Sequence, residues 1–291
     1  MQNNKYIDWL KYIADDLFVT DLLIPGTHDA ITSTCDQPYY QTQTLSLSEQ
    51  LNCGVRFFDL RLTRHLNIAH RQWQSNITAE ALFQCFISFL NTHPTEFIIL
   101  RIQNANEKKD DFEPYKQALV SFIKPYLKHF LLPEKTNENL YPWPCVKQLR
   151  GKILAIECAP PKWQVSSLEN GTRWAHNWHQ NALIMLQDNW DGPDIHGKID
   201  SIMTLLHGSD DIQQQQLVLN HISATNGELG SPIAYANIIN PIIRDELAML
   251  NHNARKDQQA ETPHKGILIF DFIDEDLAQK TIEVNTLKFT S

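Results

Sequence analysis

The chain has 291 residues, and its 25 Lys and Arg against 34 Asp and Glu leave a formal charge of −9. That balance disfavours broad, salt-sensitive binding to nucleic acid, and disfavours attachment to an anionic membrane by charge alone. With 42% hydrophobic residues the chain can bury a sizeable core, which excludes wholesale disorder.

In chain order, residues 5–18 space Ile7, Leu10, Ile13 and Leu17 as an amphipathic helix, expected to cap the base of a larger fold rather than enter lipid. Apolar runs ending in polar residues follow at 19–29 (VTDLLIPGTHD), 54–61 (GVRFFDLR) and 66–70 (LNIAH). Residues 78–92 then predict a helix, with Thr78 as cap, a stripe through Leu82, Phe86, Phe89 and Leu90, and Pro94 beyond its end. After a further run at 96–103, residues 112–128 predict a second helix that Pro125 should kink or end. Runs at 151–158 and 181–188 precede a helix over 198–207 that stops at Gly208. The last runs, 216–223 and 266–273, flank a helix expected to open at Asn240-Pro241, with Asn as cap and Pro at the first helical position.

The eight apolar runs alternate poorly, as strands buried on both faces do. Interleaved with helices, they predict an α/β fold with a largely parallel sheet, either a (β/α)8 barrel or an open doubly wound sheet. The helix between 61 and 66 is missing, so a barrel would be imperfect. No repeat or linker divides the chain, so one domain over 1–291 is expected. Five scattered cysteines without a CxxC pair suit buried thiols or a reducing compartment and carry no zinc signature. The N-terminus lacks a basic start before an apolar run, and no stretch of about 18 apolar residues occurs. A soluble protein without a Sec signal is expected, cytoplasmic by default or exported by another route.

The chemistry concentrates at the strand ends. His28 and Asp29 close the first run, Arg61 the second, His70 the third and Gln103 the fourth; Asp188 closes the sixth and Asp271 sits near the end of the eighth. In a parallel barrel these ends open on one face, where active sites gather. Taken singly, Asp59 and Arg61 could be a structural ion pair, Asp29 a cap and Gly26 a turn former. Together, two imidazoles, several carboxylates and a guanidinium suit transfer at a phosphodiester. One imidazole can serve as base and the other as acid, and Arg matches two phosphate oxygens.

PGTHDA (25–30) and GVRFFDLR (54–61) resemble the bacterial phosphatidylinositol-specific phospholipases C, the X-domain family. HPTEFIIL (93–100), LGSPIAYANIINPII (229–243) and GILIFDFI (266–273) extend the resemblance over about residues 19–275. It implies a distorted TIM barrel of the PLC-like phosphodiesterase type, acting on a membrane phosphoinositide to give diacylglycerol and a cyclic inositol phosphate. It implies His28 as general base oriented by Asp271, Arg61 on the phosphate, and His70, paired with Asp29, as general acid. Asp59, Asp188 and Trp190 match headgroup contacts, with Trp190 stacking on the ring.

In the calcium-dependent branch the position of Arg61 is a carboxylate. An Arg there implies no metal and no cofactor, against the alternative of an ion held by Asp29, Asp59 and Asp188. Three positions depart from the family pattern. Gln103 stands for a Lys, Glu157-Cys158 for an Arg that contacts inositol, and Arg71 for a Gly. The headgroup is therefore less defined than the phosphodiester chemistry. Alternatives are a metal-dependent glycerophosphodiesterase and a silent headgroup- or protein-binding barrel. The expected partner is a membrane phospholipid, met transiently by a monomer, with no nucleic acid. Trp163, Trp174, Trp178 and Trp190 either pack a long loop onto the barrel or form an interfacial surface.

Overall fold

The computed structural model describes residues 5–105, 112–136, 140–163, 165–208, 212, 215–256 and 265–285. Its frame is a curled parallel sheet of eight strands. These are β1 (Leu23–Thr27), β2 (Phe57–Leu62), β5 (Ile98–Asn104), β6 (Ile153–Glu157), β7 (His176–Asn177), β8 (Ile184–Gln187), β9 (Leu217–His221) and β10 (Gly266–Phe270). Their order is β7-β6-β5-β2-β1-β10-β9-β8, and every neighbouring pair is parallel. Among the described residues no ladder joins β7 to β8, so the barrel stays open on that side.

All eight predicted runs are strands, but the third has another role. Asn67–His70 (β3) runs antiparallel to β2 and pairs with Trp73–Thr78 (β4) in a hairpin. This explains the missing helix after residue 61, because an antiparallel neighbour needs only a tight connection. The eighth parallel strand is instead the two-residue β7, too short to leave a sequence signal.

The period of two along each strand separates two cores. Ile24, Phe57, Ile99, Leu154, Leu217 and Ile267 face the barrel interior, where they pack with Trp9, Leu10 and Ile13 from below. Their neighbours Leu23, Phe58, Leu100, Ala155 and Leu268 face outward to the helical layer. Gly26 also points inward. A Cβ there would lie 2.9 Å from the Phe57 ring, so this glycine provides room within the strand rather than a turn.

Helix α2 (Ala79–Thr92) matches its prediction, with the Thr78 hydroxyl accepting from the Ala81 amide and Phe83 and Phe86 in the outer core. The next helix, α3 (Phe112–Ile123), gives way to a 3-10 turn at Lys124-Pro125, as the proline requires. Helix α5 (Ile195–His207) ends at Gly208 with φ +91°. Two expectations fail. Residues 5–18 form no α-helix beyond a 3-10 turn at Trp9–Tyr12. The carbonyls of Ile7, Leu10 and Ile13 accept instead from Arg56 and Arg150, which pin this plug beneath the barrel. Buried Arg56 is in turn neutralised by buried Glu96 at 2.8 Å.

The second failure is at Asn240-Pro241, which does not open a helix. Helix α6 runs from Pro232 to Lys256 with Pro241 inside it. The Asn240 amide is engaged elsewhere, donating to the Asp271 carbonyl at 3.0 Å and tying α6 to the end of β10. The chain is completed by α1 (Leu47–Asn52), α4 (Val146–Leu149) and α7 (Glu275–Glu283). No described helix is long and apolar enough to cross a membrane.

Candidate active site

The inward parity that builds the lower core continues upward into polar residues. On β1 it runs from Ile24 through Gly26 to His28, on β2 from Phe57 through Asp59 to Arg61, and on β5 from Ile99 through Arg101 to Gln103. The inward residue after β10 is Asp271, and the last inward residue of β9 is His221. His28, Arg61, Arg101, Gln103, His221 and Asp271 line one pocket of about 210 Å³ at the C-terminal mouth of the sheet.

His28 and Asp29 both reach this mouth because the chain turns sharply between them. Asp29 has φ +41°, a left-handed conformation that costs a non-glycine residue roughly 1 kcal/mol or more. The turn is clamped from below. Gln43 donates to the His28 carbonyl at 2.9 Å, and the Thr32 and Thr42 hydroxyls lie 3.2 and 3.1 Å from the Asp29 carbonyl. No helix begins at Asp29, so it is no cap.

His28 Nδ1 lies 2.8 Å from Asp271 Oδ1. An Nδ1–H donated to that carboxylate leaves the Nε2 lone pair facing the pocket, 2.8 Å from Arg61 NH2 and 3.3 Å from Asp29 Oδ2. Burial opposes charge on His28, but Asp29 and Asp271 outweigh it and hold its pKa above the ordinary histidine value. Arg61 Nε binds Asp29 Oδ1 at 2.7 Å, while its NH2 lies 3.7 Å from Asp59. Asp59 belongs mainly to Arg101, at 3.0 Å. Burial would raise both carboxyls, yet Arg61 and the imidazoles hold Asp29, and Arg101 with Arg61 holds Asp59, below the usual carboxylate range.

His70 arrives on the β3–β4 hairpin, which folds back along β2, and not from a parallel strand end. Its Nδ1 lies 2.7 Å from the Tyr40 carbonyl and its Nε2 3.2 Å from Asp29 Oδ2. Burial, reinforced by Arg61 and His28 against Asp29, lowers its pKa. His28, Asp29, Asp59, Arg61, His70 and Asp271 thus form one connected cluster. Gln103, Asp188 and Trp190 line the adjoining part of the same pocket. Asp188 lies 3.7 Å from His221, and Trp190 is 38% exposed at the rim.

The remaining tryptophans pack. Trp174 and Trp178 are buried, and Trp163 stacks on Phe112. The Trp178 ring lies 4.1 Å beneath the Arg101 guanidinium, which donates from NH2 to Cys158 Sγ at 3.3 Å. Arg101 and His221 are inward-facing strand residues of the pocket that reading the strand ends did not find, and Thr42, His179 and Thr225 line it from the loops. The two strand residues stand at odd-even positions that the inward parity of Ile99 and Leu219 would have flagged. Glu157 faces away from the pocket, and burial lifts its carboxyl to about 8.

His28, Asp29 and Asp59 are the described group whose donor atoms approach one another closely enough, within 4.8 Å, to be considered for a metal. They fit one poorly. Arg61 and Arg101 already hold both carboxylates, and Arg61 donates to the imidazole nitrogen that a metal would need. A divalent cation there would face two fixed guanidinium charges. Asp188 is not part of this group.

Solved structures place the fold. The phosphatidylinositol-specific phospholipase C of Listeria monocytogenes superposes with a TM-score of 0.82 at 25% identity, covering 96% of this chain and 98% of that one. A Staphylococcus aureus phosphatidylinositol-specific phospholipase C follows at 0.74 and 19% identity, over 96% and 97% of the two chains. The fold is therefore that of the TIM-like phosphodiesterase barrels. In sequence, the family described as phosphatidylinositol-specific phospholipase C, X domain, matches residues 22–157. A 1-phosphatidylinositol phosphodiesterase of L. monocytogenes is 30% identical over 285 residues, which are 95% of this chain and 84% of that protein. One from S. aureus is 22% identical over 81% of each. The chain belongs to the phosphatidylinositol-specific phospholipase C family.

Proposed function

We propose that the protein is a phospholipase C that cleaves the glycerol-side phosphodiester of a phosphatidylinositol without a metal. The observation that carries this is the position of His28, held by Asp271 on one nitrogen and facing Arg61 on the other, with His70 across Asp29. On binding, a substrate phosphate would take up the Arg61 fork and release the Nε2 lone pair of His28. That nitrogen then removes the proton of the inositol 2-hydroxyl as its oxygen attacks phosphorus. The phosphorus–oxygen bond to glycerol breaks, and the leaving oxygen takes a proton from His70, giving diacylglycerol and a cyclic inositol phosphate. Water opening the cyclic phosphate, with the two imidazoles in exchanged roles, is the slower second step.

Arg101 supplies a cation where Gln103 and Cys158 supply none. Two residues deeper than Gln103, it keeps positive charge at the headgroup end of the pocket. Trp190, exposed at the pocket rim, gives the chain an apolar contact for the bilayer that carries the substrate. Release of diacylglycerol from phosphatidylinositol micelles in chelator, with phosphatidylcholine left intact, is the expected result. Dependence on an added divalent ion would contradict the metal-free reading.

The pH profile follows from the two imidazoles. Turnover needs His28 neutral and His70 protonated, yet His28 is shifted up and His70 down. The productive form is then a minority proton arrangement of the coupled pair. Activity should rise with pH to the lower value, associated with His70, and fall above the higher one, associated with His28. Asp271→Asn removes a charge that raises His28, so the alkaline limb of kcat/KM should move to lower pH. An unmoved limb would contradict the assignment.

A further inference from the structure

His221 has no part in the mechanism above, yet it occupies the wall beside the proposed base. It is 2% exposed, and its ring centroid lies 5.9 Å from that of His28 and 6.0 Å from that of Trp178. Its Nδ1 is 3.1 Å from Ser223 Oγ and 3.7 Å from Asp188 Oδ1. Its Nε2 is buried with no hydrogen-bond partner among the described residues, although the residue lines the pocket. A buried polar atom left so carries its full desolvation cost without return. Such an atom in a cleft is poised for a ligand.

The surroundings fix which proton the ring carries. Burial opposes its charge, and Arg101, His28 and Lys198 reinforce this against Asp59, so His221 stays neutral far below the ordinary histidine range. The carboxylate of Asp188 and the Ser223 hydroxyl lie on the Nδ1 side, which favours the proton there. Nε2 is then a bare acceptor. It cannot bind a phosphate oxygen, which has no hydrogen to give, but it can accept from a hydroxyl.

The backbone of His221 is anchored more heavily than a spectator needs. Buried Lys198 reaches in from α5 to donate to the His221 carbonyl at 2.7 Å, and Gln187 donates to the same oxygen at 2.8 Å. Lys198 lies 3.2 Å from Gln187 Oε1 as well, and burial lowers its pKa to about 8. The chain thus buries an amine to hold the end of β9 in place.

We propose that His221 Nε2 is a specificity-determining acceptor for a headgroup hydroxyl next to the one that attacks phosphorus. The inference rests on the phospholipase reading and adds the residue that selects a polyol. A site built to bind a substrate hydroxyl rejects an analogue lacking it far more strongly than an apolar pocket rejects a size change.

The test uses His221→Phe, which keeps a ring and removes the acceptor, and His221→Gln, which restores an acceptor at similar reach. Both would be assayed on phosphatidylinositol and on analogues each lacking one ring hydroxyl, after thermal melting shows that they fold. Wild type should discriminate against one analogue by about tenfold or more. His221→Phe should lose about that factor on phosphatidylinositol and no longer distinguish that analogue, while His221→Gln keeps most of both. In wild type, the imidazole ¹⁵N shift of Nε2 should move when myo-inositol is added. Unchanged discrimination in His221→Phe overturns the inference and leaves the phospholipase reading standing. No turnover of phosphatidylinositol by wild type overturns that reading, and the inference with it.

Discussion

His28→Ala is expected to lower kcat on phosphatidylinositol by about 10⁴-fold, the upper end for loss of a positioned base. The effect is large because no other group can take the role. His70 Nδ1 faces the Tyr40 carbonyl, and His221, although its Nε2 is open to the pocket, is held well below the ordinary histidine range by burial and by Arg101, which makes it a poor base. The carboxylates of Asp29 and Asp59 are held by Arg61 and Arg101 well below the range of a useful base. The fold should survive, since His28 is partly exposed at the mouth while Ile24 and Phe57 below it carry the packing. Thermal melting beside single-turnover rates checks both halves. Retention of more than about a tenth of wild-type kcat would remove His28 from the proton-transfer role.

Arg61→Lys should cost about 10²–10³-fold in kcat, comparable to removing a donor aimed at transition-state charge. The substitution keeps the charge and removes the fork. Arg61 uses Nε for Asp29 while NH2 faces His28, so one planar group sets both the carboxylate and the phosphate position. A lysine ammonium is a point charge and cannot span the two. Its loss should appear in kcat and not chiefly in KM. A variant with wild-type kcat and a raised KM would mean that Arg61 contributes binding alone.

The barrel was legible in the sequence because strands buried on both faces leave unbroken apolar runs, and the site because such strands end in charge. His28, Arg61 and Asp271 were found that way. The elements misread are those decided by distant contacts. Residues 5–18 carry helical spacing, but Arg56 and Arg150 capture their carbonyls from elsewhere in the chain. Asn240-Pro241 has the form of a helix start, while the Asn240 amide is used at the end of β10. His70 was assigned to the wrong topology, because LNIAH reads alike in a parallel strand or a hairpin. Arg101 and His221 went unnoticed because they stand inside apolar runs, where only the direction of the side chain separates a pocket residue from a core one.

The most direct test of the account is a phosphorus NMR time course of the purified protein with phosphatidylinositol in mixed micelles and chelator. A five-membered cyclic phosphate signal should appear first and decay slowly to the monophosphate, and it should be absent with His28→Ala. Direct appearance of the acyclic inositol phosphate, or turnover only after a divalent ion is added, would contradict intramolecular attack assisted by His28 and Arg61.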